Sequence, residues 1–262
     1  MEILYVVKIG GNIIDDDQLL SSFLKKFAAI RSKKILIHGG GKLATRMAEK
    51  MGIPQQMIDG RRLTDAETLK IVTMVYAGYI NKNIVALLQS LQCNAVGITG
   101  ADGNSILSHK RIKGDIDYGF AGDVDHVNAS WFIQMLINGQ SLVVAPVTHD
   151  GKGQLLNTNA DTIAQEIAKS LSSFFEVVLI YSFEKAGVLR DVENENSVIE
   201  RLHPGYYNQL KETEKIFAGM IPKLDNAFKA IEAGVRKVVI GKGQELDMLI
   251  TGNSGTTISH EY

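Results

Sequence analysis

Cysteine is almost absent from this chain of 262 residues, in which Cys93 is the only one. A single cysteine forms no disulfide within the chain, which predicts a fold held together by packing in a reducing compartment, the cytoplasm. Proline is also scarce, at four residues, so no proline-rich linker divides the chain. The six histidines show no metal-ligand spacing, and we therefore predict no metal bound by the protein's own side chains.

An excess of charge of either sign is absent as well. The chain has 28 basic and 29 acidic residues and a formal net charge of −1, which argues against a general nucleic-acid or membrane surface. The N-terminal segment runs directly into an apolar strand, without the basic, apolar and cleavage regions of a signal peptide. We find no apolar stretch long enough to span a bilayer. These features predict a cytoplasmic protein that binds neither nucleic acid nor membrane.

Short runs rich in β-branched residues alternate with helical patterns along the chain. The runs have the composition of strands buried on both faces, and they lie at 3–9, 33–38, 94–98, 141–146, 175–181 and 236–241. The predicted helices run from a capping box at Thr64 to about Leu91, from a cap at Asn128 to 138, from near Asn159, and over 221–233. Strands alternating with helices predict an α/β fold with a mainly parallel sheet covered on both sides.

Two segments depart from this alternation. The stretch 105–127 is polar and rich in glycine, which is typical of an antiparallel excursion or a flap. The stretch 190–200 has the composition of an exposed hairpin or loop. If the chain forms two lobes, we expect them to divide near 172–175, giving lobes of 1–173 and 174–262.

Four segments combine the end of a strand with a glycine or small polar turn and a following helix. They are VVKIGGN (6–12), IHGGGK (37–42), VGITGADGNS (96–105) and LNTNADTIAQEIA (156–168). Because ligands bind at the carboxyl ends of parallel strands, we expect these turns to meet in one site. Glycine lets an anion approach backbone N–H groups at helix N-termini, so the site is predicted to bind phosphate. Taken alone, the glycine triplet at 39–41 is explained equally well by the steric needs of a tight turn.

Four charged residues near these turns each allow two interpretations. Lys8 is either a strand-edge lysine whose amine reaches water or a cation at the mouth of a phosphate pocket. Asp161 is either an ordinary acid in the first turn of a helix or a site residue. Lys223 lies in a first turn, against the macrodipole, and this favours an anion nearby. Arg62, with its neighbour Arg61, is either solvated or a bidentate partner of a carboxylate.

Several common motifs are missing from the sequence. No G-x-x-x-x-G-K-[ST] is present, which excludes a P-loop protein, although HGGGK is superficially similar. The absence of G-x-G-x-x-G from the first turn argues against a dinucleotide-dependent dehydrogenase. No G-x-S-x-G elbow of a hydrolase occurs.

From end to end, the chain resembles the amino acid kinase family. The similar segments follow in the family's order: VVKIGGN, IHGGGK, DGRRLTDAETL, VGITGADGNSI, LNTNADTIA, AGMIPKLDNAFKAIEAGV and the terminal GNSGTTI. The resemblance implies a three-layer α/β/α sandwich, in which lobe 1–173 binds the acylated amino acid and dimerises and lobe 174–262 binds ATP. It also implies the ATP-dependent phosphorylation of the γ-carboxylate of N-acetyl-L-glutamate, or of a related N-acylglutamate such as the succinyl form, in arginine biosynthesis.

The same resemblance implies roles for individual residues. Lys8 and Lys223 would neutralise the phosphoryl group during transfer, and Asp161 would orient the two lysines. The residues expected to bind the substrate are Gly40, Gly41, Arg62 and Asn157. Those expected to bind phosphate are Gly10, Gly11 and Gly39, and those expected to bind the nucleotide are Glu184, Gly187 and Met220. Mg²⁺ would arrive with ATP and bind through its phosphates, so no residue is predicted as a metal ligand.

Two segments differ from the family pattern. The stretch 180–189, IYSFEKAGVL, stands where a T/S-D-V-x-G-V/I turn is usual, with Glu184 near the aspartate position, and this leaves the nucleotide preference open. Near Met57 and Arg61 the predicted substrate pocket gains a basic residue. A larger anionic acyl group, such as succinyl, is therefore a hypothesis beside acetyl.

The alternatives within the family are kinases of the glutamate 5-kinase, carbamate kinase, aspartokinase and UMP kinase types. Outside enzymes, the alternative is a nucleotide-binding regulatory protein that has lost catalysis. Lys8 lies so close to the first residue that we expect no room for the N-terminal helix with which arginine-inhibited members form hexamers. We therefore expect a homodimer that arginine does not inhibit.

Overall fold

The structure is a computed structural model that describes residues 1–58, 60–191, 193–195, 197–213 and 220–260. The strands are β1 (Ile3–Ile9), β2 (Lys33–His38), β3 (Met57–Ile58), β4 (Arg61–Arg62), β5 (Ala95–Ile98), β6 (Ile106–Lys113), β7 (Ile116–Val127), β8 (Ser141–Val144), β9 (Val147–His149), β10 (Leu155–Thr158), β11 (Glu176–Phe183), β12 (Arg201–Leu202), β13 (Lys237–Lys242) and β14 (Thr256–Ile258). The α-helices are α1 (Gly11–Ile14), α2 (Asp17–Ala29), α3 (Gly41–Lys50), α4 (Ala66–Val72), α5 (Asn81–Ser90), α6 (Ala129–Ile137), α7 (Ala160–Leu171), α8 (Pro204–Glu212), α9 (Ile221–Glu232) and α10 (Leu246–Thr251).

A central sheet of eight strands has the order β12-β14-β13-β11-β1-β2-β8-β5. Every neighbouring pair is parallel except β13 and β14, which are antiparallel. The sequence prediction of a mainly parallel sheet covered by helices is confirmed. Five of the six predicted runs form the inner strands β13, β11, β1, β2 and β8, where a strand is buried on both faces, whereas the run 94–98 forms the edge strand β5, whose Val96 and Gly97 are half-buried.

Two hydrophobic clusters lie on opposite faces of this sheet. On β1, Leu4 and Val6 belong to the cluster that includes α7, whereas Val7 and Ile9 belong to the cluster that includes α2. The alternation follows from the two-residue period of a strand. Each fully buried side chain of this kind stabilises the fold by about 1.5–3 kcal/mol relative to its exposed state. The two clusters therefore hold the carboxyl edge of the sheet in place.

The segment 105–127 leaves the central sheet, as its polar composition predicts. Its strands β6 and β7 pair antiparallel, and with β9 and β10 they close a small barrel. Strand β10 runs from this barrel directly into α7, whose N-cap Asn159 accepts a hydrogen bond from the backbone of Thr162. The barrel therefore positions the first turn of α7.

The helical stretch Ala66–Ser90 differs from its prediction in two ways. Its N-cap is Asp65, whose carboxylate accepts from the backbone of Thr68 at 2.7 Å, whereas Thr64 donates its hydroxyl to the carbonyl of Arg62. A π-helical segment, Thr73–Ile80, joins α4 to α5. Local spacing predicts neither feature. For the N-cap, the tertiary contacts of Thr64 decide which of the two adjacent residues caps the helix.

The same stretch contradicts the expectation that no apolar stretch of the chain is long enough to span a bilayer. It is 25 residues long and contains a window of mean hydropathy 1.4, so by length and composition it could cross a membrane. In the fold, its residues Val72, Ile80, Ile84 and Leu88 pack into the core against the sheet. A core helix gives this signal because it is apolar on more than its inner side.

The boundary between lobes 1–173 and 174–262 remains a prediction. The central sheet is continuous across it, because β1 pairs with β11 and Ile3 lies opposite Glu176. Of the predicted loop 190–200, residues 192 and 196 lie outside the described residues, and Leu189 forms an isolated antiparallel bridge with Val198.

Candidate active site

Two glycine turns meet at the carboxyl edge of the central sheet. β1 and β2 are parallel neighbours in which Ile9 lies opposite His38, so the turns that follow them lie side by side. The backbone N–H of Gly39 donates to the carbonyl of Ile9 at 3.2 Å. The first turn leads into α1 at Gly11 and the second into α3 at Gly41. Free N–H groups of two helix starts therefore face the same space.

The second turn requires glycine at position 40. Gly40 has φ of +149°, and a Cβ there would lie 2.4 Å from Cδ1 of Ile80 and 3.0 Å from the ring of Tyr76. Both of those residues belong to the π-helical segment, which packs directly on the turn. π-Helical segments occur often at functional sites. Close packing therefore accounts for this glycine independently of any ligand.

Lys8 and Asp161 form an ion pair at the end of β1. The Nζ of Lys8 lies 2.7 Å from Oδ1 of Asp161, and the side chains are 11% and 28% exposed. Asp161 occupies the first turn of α7, where a negative charge is favourable. Its backbone carbonyl accepts a hydrogen bond from the hydroxyl of Tyr181 on β11 at 3.2 Å. Three elements therefore fix the position of this carboxylate.

Lys223 approaches the pair from α9. Its Nζ lies 4.0 Å from the ring centre of Phe183, and the Nζ of Lys8 lies 5.7 Å from the same ring. Burial lowers the pKa of Lys223; the carboxylate of Asp161 opposes that shift and the charge of Lys8 adds to it. The two lysines thus lie near the same aromatic ring and the same carboxylate, and an anion between them would relieve their repulsion.

Two cavities open on either side of this group. The first, of about 250 Å³, is called the acceptor cavity here, and it is lined by Lys8, Gly11, Gly39, Gly40, Gly41, Met57, Gly60, Arg61, Arg62, Tyr76, Ala121, Pro146, Asn157, Thr158, Asn159, Ala160 and Asp161. The second, of about 360 Å³, is called the nucleotide cavity, and it is lined by Lys8, Gly10, Gly11, Asn12, Lys42, Asp161, Ser182, Phe183, Glu184, Lys185, Gly187, Met220, Lys223 and Ile240. Lys8, Gly11 and Asp161 belong to both.

Every site residue that the sequence indicates lines one of these cavities. The four positions expected to bind substrate, Gly40, Gly41, Arg62 and Asn157, all line the acceptor cavity. Of the positions expected to bind phosphate, Gly10 and Gly11 line the nucleotide cavity, and Gly39 lines the acceptor cavity. The positions expected to bind nucleotide, Glu184, Gly187 and Met220, line the nucleotide cavity. The structure thus brings the predicted residues together, while their individual roles remain proposals.

Arg62 is held firmly in the wall of the acceptor cavity. It is 7% exposed, and its guanidinium donates to the carbonyl of Gly41 at 3.0 Å, to Oγ1 of Thr45 at 2.9 Å and to Oε1 of Gln55. Asn157 donates its amide to Oγ1 of Thr64 at 3.0 Å. These bonds hold both side chains in fixed positions in the wall of the acceptor cavity.

Sequence reasoning missed other residues of the site. Beside Arg61, the Nη1 of Arg111 on β6 donates to both carboxylate oxygens of Asp123 on β7, and the long separation of Arg61 from these two residues in the sequence hides the cluster. Tyr76 lines the acceptor cavity from a helix that its pattern marks only as core. Lys42 could have been found, because it closes the IHGGGK motif at the start of α3.

The described residues contain no group of three or more histidine, cysteine, aspartate or glutamate side chains that could hold a metal ion. The charged lining of the nucleotide cavity consists of four lysines, Lys8, Lys42, Lys185 and Lys223, and two acids, Asp161 and Glu184. This donor set fits a polyanion such as a nucleotide polyphosphate better than a cation alone.

An α/β/α sandwich with an anion site between two glycine turns defines the class of this protein. The chain belongs to the amino acid kinase family, whose model matches residues 4–242. It is 58% identical over 254 residues to the acetylglutamate kinase of Cytophaga hutchinsonii, covering 97% of this chain and 96% of that protein. It is 38% identical to the acetylglutamate kinase of Methanopyrus kandleri, covering 90% and 93%.

Solved structures share the fold at lower identity. An N-acetylglutamate synthase from Neisseria gonorrhoeae, in complex with coenzyme A and N-acetyl-glutamate, matches with a TM-score of 0.84 and 23% identity; the match covers all of this chain and 60% of that one. The carbamate kinase of Giardia lamblia bound to AMP-PNP matches with a TM-score of 0.69 and 13% identity, covering 99% of each chain.

Proposed function

We propose that the protein transfers the terminal phosphoryl group of ATP to the γ-carboxylate of an N-acyl-L-glutamate, as a step of arginine biosynthesis. N-acetyl-L-glutamate is the acceptor that the name of its relatives indicates. The observation that carries the proposal is the meeting of two cavities at Lys8, Gly11 and Asp161. One cavity has the charge pattern for a nucleotide and the other for a small dicarboxylate, so a phosphoryl group can pass between them.

The reaction joins one carboxylate oxygen of the acceptor to the γ-phosphorus of ATP and breaks the bond between that phosphorus and the β,γ-bridging oxygen. The products are an acyl phosphate and ADP. A glutamate side chain is ionised at neutral pH, so the attacking oxygen needs no general base. Catalysis therefore depends on positioning and on neutralising charge.

In this mechanism Lys8 and Lys223 stabilise the charge of the phosphoryl group in flight. Lys8 serves both cavities, and Lys223 lies on the nucleotide side. Asp161 holds Lys8 through the 2.7 Å ion pair and acts on Lys223 through its charge. The backbone N–H groups of Gly10, Gly11 and Gly39 would donate to phosphate oxygens.

The acceptor is held by the walls of its cavity. Arg62 would bind the α-carboxylate, because it is fixed and buried in the wall of the acceptor cavity, which Lys223 does not line. Asn157, Gly40 and Gly41 would complete the contacts to the substrate.

ATP would lie against Glu184, Gly187 and Met220, with its phosphates towards the lysines. Mg²⁺, when bound, supplies charge neutralisation on the phosphate oxygens. With two carboxylates among the described lining residues, one of them paired with Lys8, we propose that it binds chiefly through the nucleotide.

The lobe assignment, the oligomeric state and the location belong to the same proposal. Residues 1–173 would bind the acylglutamate and form the dimer, and residues 174–262 would bind ATP. The exposed side chains of Met74 and Tyr79, at 54% and 66% exposure on the long helix, support a homodimer through that helix, which light scattering would test. The buried free thiol of Cys93 agrees with a cytoplasmic location.

Trapping of the product with hydroxylamine tests the reaction directly. With MgATP, N-acetyl-L-glutamate should give a hydroxamate, and L-glutamate, which lacks the acyl group, should give little. The Lys8→Ala variant controls for background hydrolysis of ATP. Nucleotide binding without hydroxamate from any acylglutamate would contradict the proposal and indicate a non-catalytic protein.

A further inference from the structure

The two arginines of β4 reach the acceptor cavity from different sides. Adjacent residues of a strand point in opposite directions. Arg62 turns towards Gly41 on α3, whereas Arg61 turns towards Asp123 on β7. Both line the acceptor cavity, whose third charged wall is formed by Lys8.

Among the described residues, Arg61 shares its carboxylate partner, Asp123, with a second arginine. The carboxylate of Asp123 accepts two hydrogen bonds from Arg111, at 2.7 and 2.9 Å. The Nη1 of Arg61 lies 3.7 Å from the same carboxylate, and its Nη2 makes a long hydrogen bond of 3.4 Å to Oγ1 of Thr162. Two guanidinium groups thus share one counter-ion, and Arg111 holds the larger part of it. The side chain of Arg61 is only 23% exposed, so water replaces the missing partner incompletely.

The surroundings of Arg61 contain more donors than acceptors. Burial and the neighbouring charge of Arg111 lower its pKa, against the opposing charges of Asp123 and Asp161. The hydroxyl of Tyr118 is fully buried beneath Arg111 and has no hydrogen-bond partner among the described residues. An additional anion beside Arg61 would supply the missing acceptor.

We propose that Arg61, supported by Arg111, binds a second carboxylate at the far end of the substrate's acyl group. The preferred substrate is then a glutamate acylated by a dicarboxylic acid, for which N-succinyl-L-glutamate is the probe. This inference rests on the proposed function and specifies its substrate.

The shape of the substrate matches the three walls of the cavity. An N-acylglutamate has a γ-carboxylate, an α-carboxylate and an acyl arm. With the first at Lys8 and the second at Arg62, Arg61 is the remaining cation of the cavity lining and is available to the acyl arm. An acetyl group ends in a methyl and leaves Arg61 with only the carboxylate that it shares with Arg111. A succinyl group ends in a carboxylate, which arginine binds bidentately.

Steady-state kinetics with three acceptors separate charge from size. N-succinyl-L-glutamate and N-butanoyl-L-glutamate have acyl arms of equal length, and only the first ends in a carboxylate; N-acetyl-L-glutamate is the third. We expect kcat/KM for the succinyl compound to exceed that for the butanoyl compound by roughly 10- to 100-fold, the value of one charge-assisted hydrogen-bonded pair. Calorimetric titration without ATP should show the same order of affinities.

The Arg61→Met variant removes the charge and keeps an unbranched, flexible side chain of similar width, although a shorter one. The succinyl-to-butanoyl ratio of kcat/KM should then fall to near unity. Arg236→Met is the matched control, because Arg236 is exposed, pairs with Glu176 at the opposite edge of the sheet and lines neither cavity. In that variant the ratio should stay at its wild-type value.

Three results would overturn the inference, and they are distinguishable from one another. If kcat/KM is equal for the succinyl and butanoyl compounds and N-acetyl-L-glutamate is phosphorylated, the inference that Arg61 binds a second carboxylate is wrong and the proposed function stands. An equal loss for all three acceptors in Arg61→Met would assign Arg61 to the α-carboxylate instead. Phosphorylation of none of the three would end the proposed function and the inference together.

Discussion

The buried imidazole of His38 connects the stability of the protein to the glycine turn of the site. His38 is fully buried at the end of β2, and its Nδ1 donates to the carbonyl of Gly39 at 2.8 Å. Its Nε2 accepts from the amide of Asn81 at 3.2 Å. The orientation of that amide is fixed, because it also donates to the carbonyl of Val143 and its oxygen accepts from Lys82. The ring therefore has no acceptor available for a second proton.

The size of the effect follows from the pKa of His38. Burial lowers this pKa from 6.5 to about 4, the hydrogen bond to Gly39 opposes the shift, and the charge of Lys82 adds to it. Between these two pH values the unfolded chain binds more protons than the folded protein, so the free energy of unfolding falls as the pH falls through that window. At 1.36 kcal/mol per pKa unit, the loss reaches about 2.5 kcal/mol at pH 4.5 and ~3 kcal/mol below pH 4.

Urea unfolding of the wild type and of His38→Asn at pH 7.5 and pH 4.5 measures this loss. The variant has no titrating group at position 38, so the difference in unfolding free energy between the two proteins should shrink by about 2.5 kcal/mol at the lower pH. His126→Asn, at an exposed position on β7, controls for the loss of one histidine. A difference between wild type and His38→Asn that stays constant with pH would refute the reasoning.

Three further predictions concern the site. Lys8→Ala and Lys223→Ala should each lower kcat by ~10²-fold or more in the hydroxamate assay, the effect of losing one preorganised electrostatic donor, and near-normal turnover would remove that lysine from the mechanism. Arg62→Ala should raise KM for the acylglutamate and leave KM for ATP nearly unchanged; a rise in both would mean that its bonds to the protein matter more than those to the substrate. Gly40→Ala should lower the midpoint of thermal unfolding, because its Cβ would lie 2.4 Å from Cδ1 of Ile80 at a φ of +149°, and an unchanged midpoint would show that the π-helical segment yields easily.

The parts of the site that the sequence predicts are those carried by short local patterns. Lys8 lies near the end of a strand whose apolar run is unambiguous, the first glycine turn follows that strand, and the second turn follows another such strand. Parallel strands place their carboxyl ends at one edge, so two local patterns become one site without knowledge of side-chain contacts. Asp161 follows for the same reason, since Asn159 caps α7 beside that edge.

What the sequence could not predict depends on pairing between distant segments. The ion pair of Arg61 with Asp123 arises because β4 packs against β7, which lies far along the chain. The pairing of Arg111 with Asp123 depends on the register of the β6–β7 hairpin, which shifts between Lys110 and Ile112. Phe183 lies two residues beyond the predicted strand 175–181 and is the last residue of β11, and its contact with Lys223 depends on where α9 begins relative to β11. The choice of Asp65 over Thr64 as N-cap depends on Asn157, which donates to the hydroxyl of Thr64.

The charges that line the two cavities indicate how the protein would stabilise the proposed phosphoryl transfer. The acceptor cavity is lined by three cations, Lys8, Arg61 and Arg62, and by one acid, Asp161. In the nucleotide cavity, too, cations outnumber acids, with four lysines and two acids. Burial lowers the pKa of both Lys223 and Arg61, and in each case a neighbouring cation adds to the shift. The protein without ligands therefore carries unfavourable free energy at the place where negative charge moves during the proposed transfer. An anion that enters relieves it, and because the cations are already fixed by the fold, little reorganisation remains to be done when the phosphoryl group passes between the cavities.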